Sequence, residues 1–436
     1  MAITGAVHAG DVVITPQQVV SNTLAYSRQL QILDRDSEAA AERARQARAL
    51  GLPLVSVDAR AARYDGLQDS AFGPGLMIPA IESRYAAGLQ VSQPLYTGGR
   101  IDRQRESAQW QAASTRHLRL AAEGDVVLQA LTAYWNWSTS FQLVESMRAA
   151  VDRMERHAKD IRNLHQAGMA TENDALATDA LLDRTRLRLD EAQRHVEVLG
   201  ARLAFLTGQT LPVGSRPEPT AAQRSSPPLP PENALVGAAQ TNRAERTARV
   251  FDLRAMAAQT EAARGEYAPQ LSLVGRYEMG RPNGLDIPPR DEWQEDAFVG
   301  LTVSWNLLDW GLRKAKVAEA AARAAQAQSR AEQEDDRITL EVREALINLQ
   351  DARQRIAVAE RYEQSSRRNI KTVTDLWTNG LARHSEVLDA HAQLTDAQFE
   401  VIATRADAEL AAAALRHATG QLAADLSAGT DRSTEP

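Results

Sequence analysis

The side chains that could do chemistry in this chain do not assemble into a catalytic set. His157, His165, His195, His384, His391 and His417 are scattered along helix-forming tracts, and none has the spacing of metal ligands. There are no cysteines, which excludes disulfides, thiolate metal sites and a thiol nucleophile. The sequence holds no glycine-rich phosphate loop and no nucleophile beside a base. The expectation is therefore no enzyme, no catalytic residue, no bound metal and no cofactor. What stands out instead is carboxylates just past two glycines: Glu172 and Asp174 follow Gly168, and Glu386 follows Gly380. At the start of a helix such carboxylates are favoured by the helix dipole, and the glycines suit left-handed turns.

Those glycines belong to a larger pattern. Gly99 pairs with Gly311, Gly168 with Gly380 and Gly208 with Gly420, each pair 212 residues apart. At the same offset Asn136 meets Asn348, Leu176 meets Leu388, and Thr207-Gly208-Gln209 meets Thr419-Gly420-Gln421. So long a period is not that of a solenoid, so one whole unit is written twice. The expected first repeat covers 1–211 and the second 232–436. Between them 212–231 (PVGSRPEPTAAQRSSPPLPP) has the proline and serine content of an extended linker.

Proline divides each repeat. None occurs between Pro94 and Pro212 or between Pro289 and Pro436, while Pro53, Pro74, Pro79, Pro269, Pro282, Pro288 and Pro289 gather in two other windows. The proline-free tracts carry coiled-coil seams. One runs Met147, Val151, Met154, Ala158, Ile161 and His165; another runs Leu182, Thr185, Leu189, Ala192, Val196, Leu199 and Leu203. The latter reappears as Leu394, Ala397, Val401, Thr404, Ala408, Ala411 and Leu415. Each repeat is thus predicted to hold a helical hairpin whose tip lies near Gly168 or Gly380. From Gly99 to Gly168 a continuous helix would measure roughly 100 Å at ~1.5 Å per residue.

The proline-containing windows read as strands, at about 54–64, 84–96, 270–279 and 298–306. Their alternation predicts that Val57, Leu89, Leu273 and Leu301 face one way and that Asp58, Arg60, Arg84 and Gln90 face the other. Each strand is about ten residues long, enough to cross a bilayer at a tilt. Tyr96, Trp305 and Trp310 fall where strands meet helices, and Tyr64, Tyr85 and Trp293 fall nearer the hairpin loops, as in the two aromatic girdles of a membrane barrel. Two readings are open at this point: a soluble sheet with one solvated face, or a transmembrane sheet. Four strands close no barrel, and lipid tolerates no open edge, so the second reading requires several chains to share one barrel.

Composition agrees with an extended helical protein. Across 436 residues 44% are hydrophobic and only 5% aromatic. A net charge of −7 with interspersed signs gives no basic footprint, which argues against nucleic acid as a partner. No run of apolar residues approaches a membrane-spanning helix. Val7-His8-Ala9 has the small-residue spacing of a signal cleavage site, and the expectation is that the apolar part of a secretion signal stands upstream. Tyr134, Trp135 and Trp137 are expected in a core or a subunit interface, and Asp335-Asp336 on a solvated helix face.

Taken together the chain resembles the TolC-type outer-membrane efflux proteins. The resemblance rests on the duplicated layout and on three kinds of segment. These are Gln93-Pro94-Leu95-Tyr96-Thr97-Gly98-Gly99-Arg100 with Trp305-Asn306-Leu307-Leu308-Asp309-Trp310-Gly311, the tips Ala167-Gly168-Met169-Ala170 and Asn379-Gly380-Leu381-Ala382, and the repeat ends Leu206-Thr207-Gly208-Gln209 and Ala418-Thr419-Gly420-Gln421. It implies a mainly α fold with β. In it, a β-hairpin and a long coiled-coil helical hairpin are duplicated, and a homotrimer builds a 12-stranded transmembrane β-barrel over a periplasmic α-helical tunnel. It also implies a location in the outer membrane of a Gram-negative bacterium, with the helices in the periplasm. The partners it implies are outer-membrane lipid, a periplasmic adaptor (membrane fusion protein) and an inner-membrane pump or ABC transporter. The protein would then be the passive exit duct of a tripartite efflux or type I secretion system. By the same resemblance Gly168, Met169, Ala170, Gly380, Leu381 and Ala382 form the docking tips. Asp174, Glu386 and Asp389, with Arg383, line the constriction that docking opens. The competing class is a soluble periplasmic coiled-coil scaffold or adaptor, which would need none of the four alternating strands.

Overall fold

The computed structural model describes residues 12–422 except 72, 74, 76, 79, 213, 219–227 and 283–289. The candidate cleavage site near residue 9 and the middle of the expected linker 212–231 lie outside the described residues. In chain order the elements are β1 (Val13–Ile14), α1 (Pro16–Tyr26), α2 (Arg28–Ala49), β2 (Leu54–Arg63), β3 (Ser70–Ala71), β4 (Met77–Ile78), β5 (Ser83–Tyr96), α3 (Arg100–Gln166), α4 (Glu172–Thr207), β6 (Arg216–Pro217), α5 (Glu232–Asn242), α6 (Ala244–Gly265), β7 (Gln270–Arg281), β8 (Gln294–Ser304), α7 (Leu312–Thr378) and α8 (His384–Ala418).

The two halves carry the same elements. Helices α3 and α7 are each 67 residues long, α1 and α5 are each 11, and α2 and α6 are each 22. By contacts the chain divides differently, into a helical unit (1–34, 117–246, 333–436) and a sheet unit (35–116, 247–332), so each unit draws on both halves.

In the sheet unit four antiparallel strands run in the order β2-β5-β7-β8. The register fixes which residues share a face, because residues directly opposite point the same way. Val57 opposes Leu89, Leu89 opposes Tyr277, and Leu273 opposes Leu301. With Val55, Val91, Leu271, Val299 and Val303 they make one apolar face, and it is exposed: Val299 is 78% accessible. Asp58, Arg60, Arg84 and Gln90 occupy the other face with Arg276 and Glu278, which pair with each other. Pro94 sits in β5 at a bulge, where the pairing with β7 skips to Tyr96, the kind of position at which a strand tolerates proline. Strand β8 starts four residues earlier than the alternation predicts and ends before Trp305, whose indole N–H instead bonds the Tyr267 carbonyl at 3.0 Å. The aromatic ring pair Tyr85–Trp293 lies at the loop end of the sheet, with centroids 6.1 Å apart.

The strand-to-helix joints of the sheet unit require left-handed backbone. In the first repeat Gly98 and Gly99 supply it, with φ of 61° and 79°. In the second the matching pair is Trp310 and Gly311, with φ of 54° and 90°. Trp310 thus holds a conformation that tryptophan disfavours while its side chain is 91% exposed. Asp309 caps α7 just beyond, accepting from the N–H groups of Gly311 and Arg313, both at 3.1 Å.

The helical unit is built on the predicted seams. Met147, Val151, Met154, Ala158 and Ile161 are buried, as are Leu182, Thr185, Leu199 and Leu203, and Leu394, Ala397, Val401, Thr404 and Leu415. His165, the last residue of the first seam, is exposed instead, because α3 ends one residue later and no helix continues over it. Tyr134 and Trp137 anchor one core with Val19, Val20, Leu199 and Leu203, and the Tyr134 hydroxyl donates to the Ile14 carbonyl. A second core joins Leu235 of α5 to Ile338, Val342 and Leu349 of α7 and Leu415 of α8. Asp335 is not simply solvated as expected: it binds Arg246 at 2.7 Å. Helices α1, α2, α5 and α6 were not predicted, since each is short and lacks the long seams that revealed the hairpins.

Candidate functional site at the helical hairpin tips

Each long helix of the helical unit ends in the same capping device. At the first tip the Gly168 N–H bonds the His165 carbonyl and the Met169 N–H bonds the Leu164 carbonyl; at the second, Gly380 bonds Trp377 and Leu381 bonds Leu376. This double bond pattern needs a left-handed residue at the glycine, and φ is 74° at Gly168 and 72° at Gly380. Beyond each glycine the apolar residue projects outward: Met169 is 70% exposed and Leu381 75%. Ala170 and Ala382 follow, partly covered. Nothing lies within 4 Å of a Cβ built on either glycine, so the tips are open to a partner.

The return helices start differently. Thr171 caps α4 in a reciprocal capping box: its hydroxyl accepts from the Asp174 N–H at 3.1 Å, and the Asp174 carboxylate accepts from the Thr171 N–H at 3.1 Å and from its hydroxyl at 2.7 Å. These bonds, the hydroxyl's first, hold the Asp174 carboxyl below the usual range. Asp174 is therefore committed to helix-end stabilisation in the single chain, whatever else it does. Helix α8 has no such box. Arg383 is its N-cap, with no side-chain capping bond and no ion pair among the described residues. Glu386 and Asp389 lie one turn apart on the exposed side of α8, free to face other groups. Among the described residues no side-chain hydrogen bond or ion pair joins Asp174, Arg383, Glu386 and Asp389 to one another.

What does converge was missed by sequence reading. His157 of α3, Trp377 of α7, and His384 and His391 of α8 pack together: His157 stacks on His384 at 5.2 Å between centroids and meets His391 at 5.1 Å, and Trp377 meets His384 at 5.3 Å. Thr178 of α4 completes the set at 2.8 Å from His384 Nε2. Burial pushes His157 down to about 4, helped by His384, and pushes His391 down to about 4, helped by His157; His384 is lowered by burial against the pull of Asp174. Among the described residues no group of three potential ligands could hold a metal ion. The only sequence signal is the spacing of His384 and His391, one heptad apart on α8. Of the remaining histidines, His165 Nδ1 lies 3.1 Å from the Ala170 carbonyl and His417 bonds Asp125 at 2.9 Å.

A duplicated chain with an antiparallel sheet bearing an exposed apolar face, and two long helical hairpins capped by open glycine turns, has the makings of an outer-membrane channel. The comparisons with known proteins name the class: the chain belongs to the outer membrane efflux protein family, which matches residues 19–209 and 235–421. No curated protein matches it significantly. Among solved structures it is similar to the outer-membrane channel OprN (22% identity, TM-score 0.81, covering 93% of this chain and 90% of that one). It is also similar to the outer membrane protein VceC from Vibrio cholerae (20%, 0.79, 93% and 96%) and to the MtrE outer membrane channel of Neisseria gonorrhoeae (18%, 0.77, 96% and 94%). At these identities the likeness is one of fold. No helix among the described residues is long and apolar enough to cross a membrane.

Proposed function

We propose that this chain is the passive exit duct of a tripartite efflux or type I secretion assembly, leading from the periplasm to the exterior. The observation that carries the reading is the sheet β2-β5-β7-β8, with one continuous exposed apolar face and unpaired edges at β2 and β8. An apolar face of this size is unfavourable in water, and open edges are untenable in lipid. Pairing β8 of one copy with β2 of the next removes both difficulties. Three copies supply twelve strands for a barrel whose apolar face meets lipid and whose polar face, with Asp58, Arg60, Arg84 and Gln90, lines water. The duplicated layout, with repeats over 1–211 and 232–436, then contributes the four long helices α3, α4, α7 and α8 of each chain to a periplasmic tunnel.

In this reading the exposed tips, Gly168-Met169-Ala170 and Gly380-Leu381-Ala382, dock the periplasmic adaptor, and an inner-membrane pump supplies the energy. Threefold symmetry would repeat Glu386 and Asp389, with Asp174, around the axis as a carboxylate ring that concentrates cations and holds the end narrow. The test is single-channel recording in planar bilayers. The unaltered channel is expected to conduct weakly, prefer cations and be blocked by multivalent cations. Changing Glu386→Gln and Asp389→Asn together should lower cation preference and block. Unchanged selectivity and block would remove these residues from the gate. A detergent-free monodisperse monomer would refute the membrane reading as a whole.

A further inference from the structure

The histidine column joins the two hairpins of one chain. His157 belongs to the first hairpin, His384 and His391 to the second, and the His157 ring centroid lies 5.2 Å from that of His384, stacked, and 5.1 Å from that of His391, tilted. The hydrogen bonds at His384 orient one end of the column. The Thr178 hydroxyl donates its single proton to the Asp174 carbonyl at 2.7 Å, so towards His384 it can only accept. His384 Nε2–H is then the donor to Thr178, and when the ring is neutral its lone pair is on Nδ1; among the described residues Nδ1 is buried without a hydrogen-bond partner, as is Nε2 of His157. The fold thus buries unpartnered imidazole nitrogens in the contact between the two hairpins.

The surrounding charges determine what a proton would do there. On α4, Asp174 faces His384 and favours its charged form; on α3, Asp160 does the same for His157. On α3 as well, Arg153 faces His391 and opposes its protonation; Arg153 has its own neighbours in Asp152, Arg156 and, from α7, Arg367, and it bonds Gln398 of α8 at 3.2 Å. The first proton therefore goes to His384, on the side of Asp174. A second, on His157, would place two cations with ring centroids 5.2 Å apart in a buried contact, where like charges repel strongly.

We propose that His384, His157 and His391 form an acid-operated latch between the two hairpins: the neutral column stacks and holds α3 against α8, and the protonated column drives the hairpin tips apart. The latch is a property of the chain itself; that parting the tips also widens an exit pore rests on the function proposed above. Such a device would couple the tip geometry to the acidity of the surrounding compartment without any partner.

The chain has no cysteine of its own, so paired spin labels can be introduced cleanly at the exposed positions Gln166→Cys and Ser385→Cys, one on each hairpin. With labelled chain diluted into unlabelled chain in detergent, double electron–electron resonance should give one short distance at pH 7 and a growing longer population as the pH is lowered to 4.5. In the His157→Gln, His391→Gln variant the short distance should persist at pH 4.5; His391→Gln alone serves if the double variant misfolds, and should move the transition to lower pH. An unaltered chain whose distance does not change with pH overturns the latch. So does an equal acid shift in the variants, which would assign the response to the carboxylates instead. Because the readout is a distance in detergent, it stands or falls separately from the conductance of the channel.

Discussion

Arginine placed on the apolar face of the sheet tests both the register and its consequence. Strand β8 lies between Trp293 and Trp305, and Val299 is midway, six residues from each. At ~3.3 Å per residue the two tryptophans are about 40 Å apart along the strand, which a tilt near 45° reduces to about 28 Å, close to the apolar thickness of a bilayer. Val299 is then at the midplane, and Leu301 about 5 Å from it on the same face. Leu301 opposes Leu273 and stands largely exposed in the single chain. Leu301→Arg should cost roughly 2–4 kcal/mol per chain in insertion free energy, and Val299→Arg at least as much. Gln90 is on the opposite face, against Ser56 and Arg276, so Gln90→Arg adds only a cross-strand like-charge contact, worth about 1 kcal/mol or less. The assay is urea-dependent folding into lipid vesicles, followed by the yield of inserted protein. Equal losses for Leu301→Arg and Gln90→Arg, or a greater loss for Gln90→Arg, would refute the assignment of the two faces.

Trp310 has left-handed backbone where the first repeat has Gly98, so Trp310→Asn, a residue tolerant of that region, should raise stability in detergent by about 1 kcal/mol while weakening association with bilayers; a loss in detergent would mean the indole packs against another chain. Trp137 is buried with Tyr134 in the helical core, and Trp137→Ala should cost about 3–5 kcal/mol, read as a lower unfolding temperature with the sheet's insertion unchanged. The buried histidines give the hairpins an acid-sensitive stability. Burial pushes His157 and His391 down to about 4 in the fold, against about 6.5 in the unfolded chain, so the unfolded chain binds more protons between these values. Their contribution is fully present above about pH 6.5 and is lost as pH falls toward 4, by about 3 kcal/mol for each histidine. Hydrogen exchange of α3 and α8 near the tips should accelerate over that window, and His391→Gln should flatten the dependence. A flat profile in the unaltered chain would mean the rings are not buried in solution.

Much of this architecture is written in the sequence because it depends on periodicity. The duplication shows in glycines at one offset, since a left-handed turn accepts little else. The hairpins show in the seams at Met147 to Ile161 and Leu182 to Leu203, since a helix must bury one stripe. The strands show in the alternation about Val57 and Leu301, since a one-residue slip would invert every side chain. Spacing along the chain does not reveal which side chains meet across elements. Glu386 and Asp389 are as exposed as their helical positions suggest, but only the fold shows Asp174 bound to Thr171, and Arg383 at the start of α8 with no side-chain capping bond. The histidines show the limit most clearly: His157 and His384 are 227 residues apart in sequence, and each alone looks like an ordinary helix-surface residue. Their stacking is decided by how two hairpins pack, a contact of high sequence separation that no local pattern encodes.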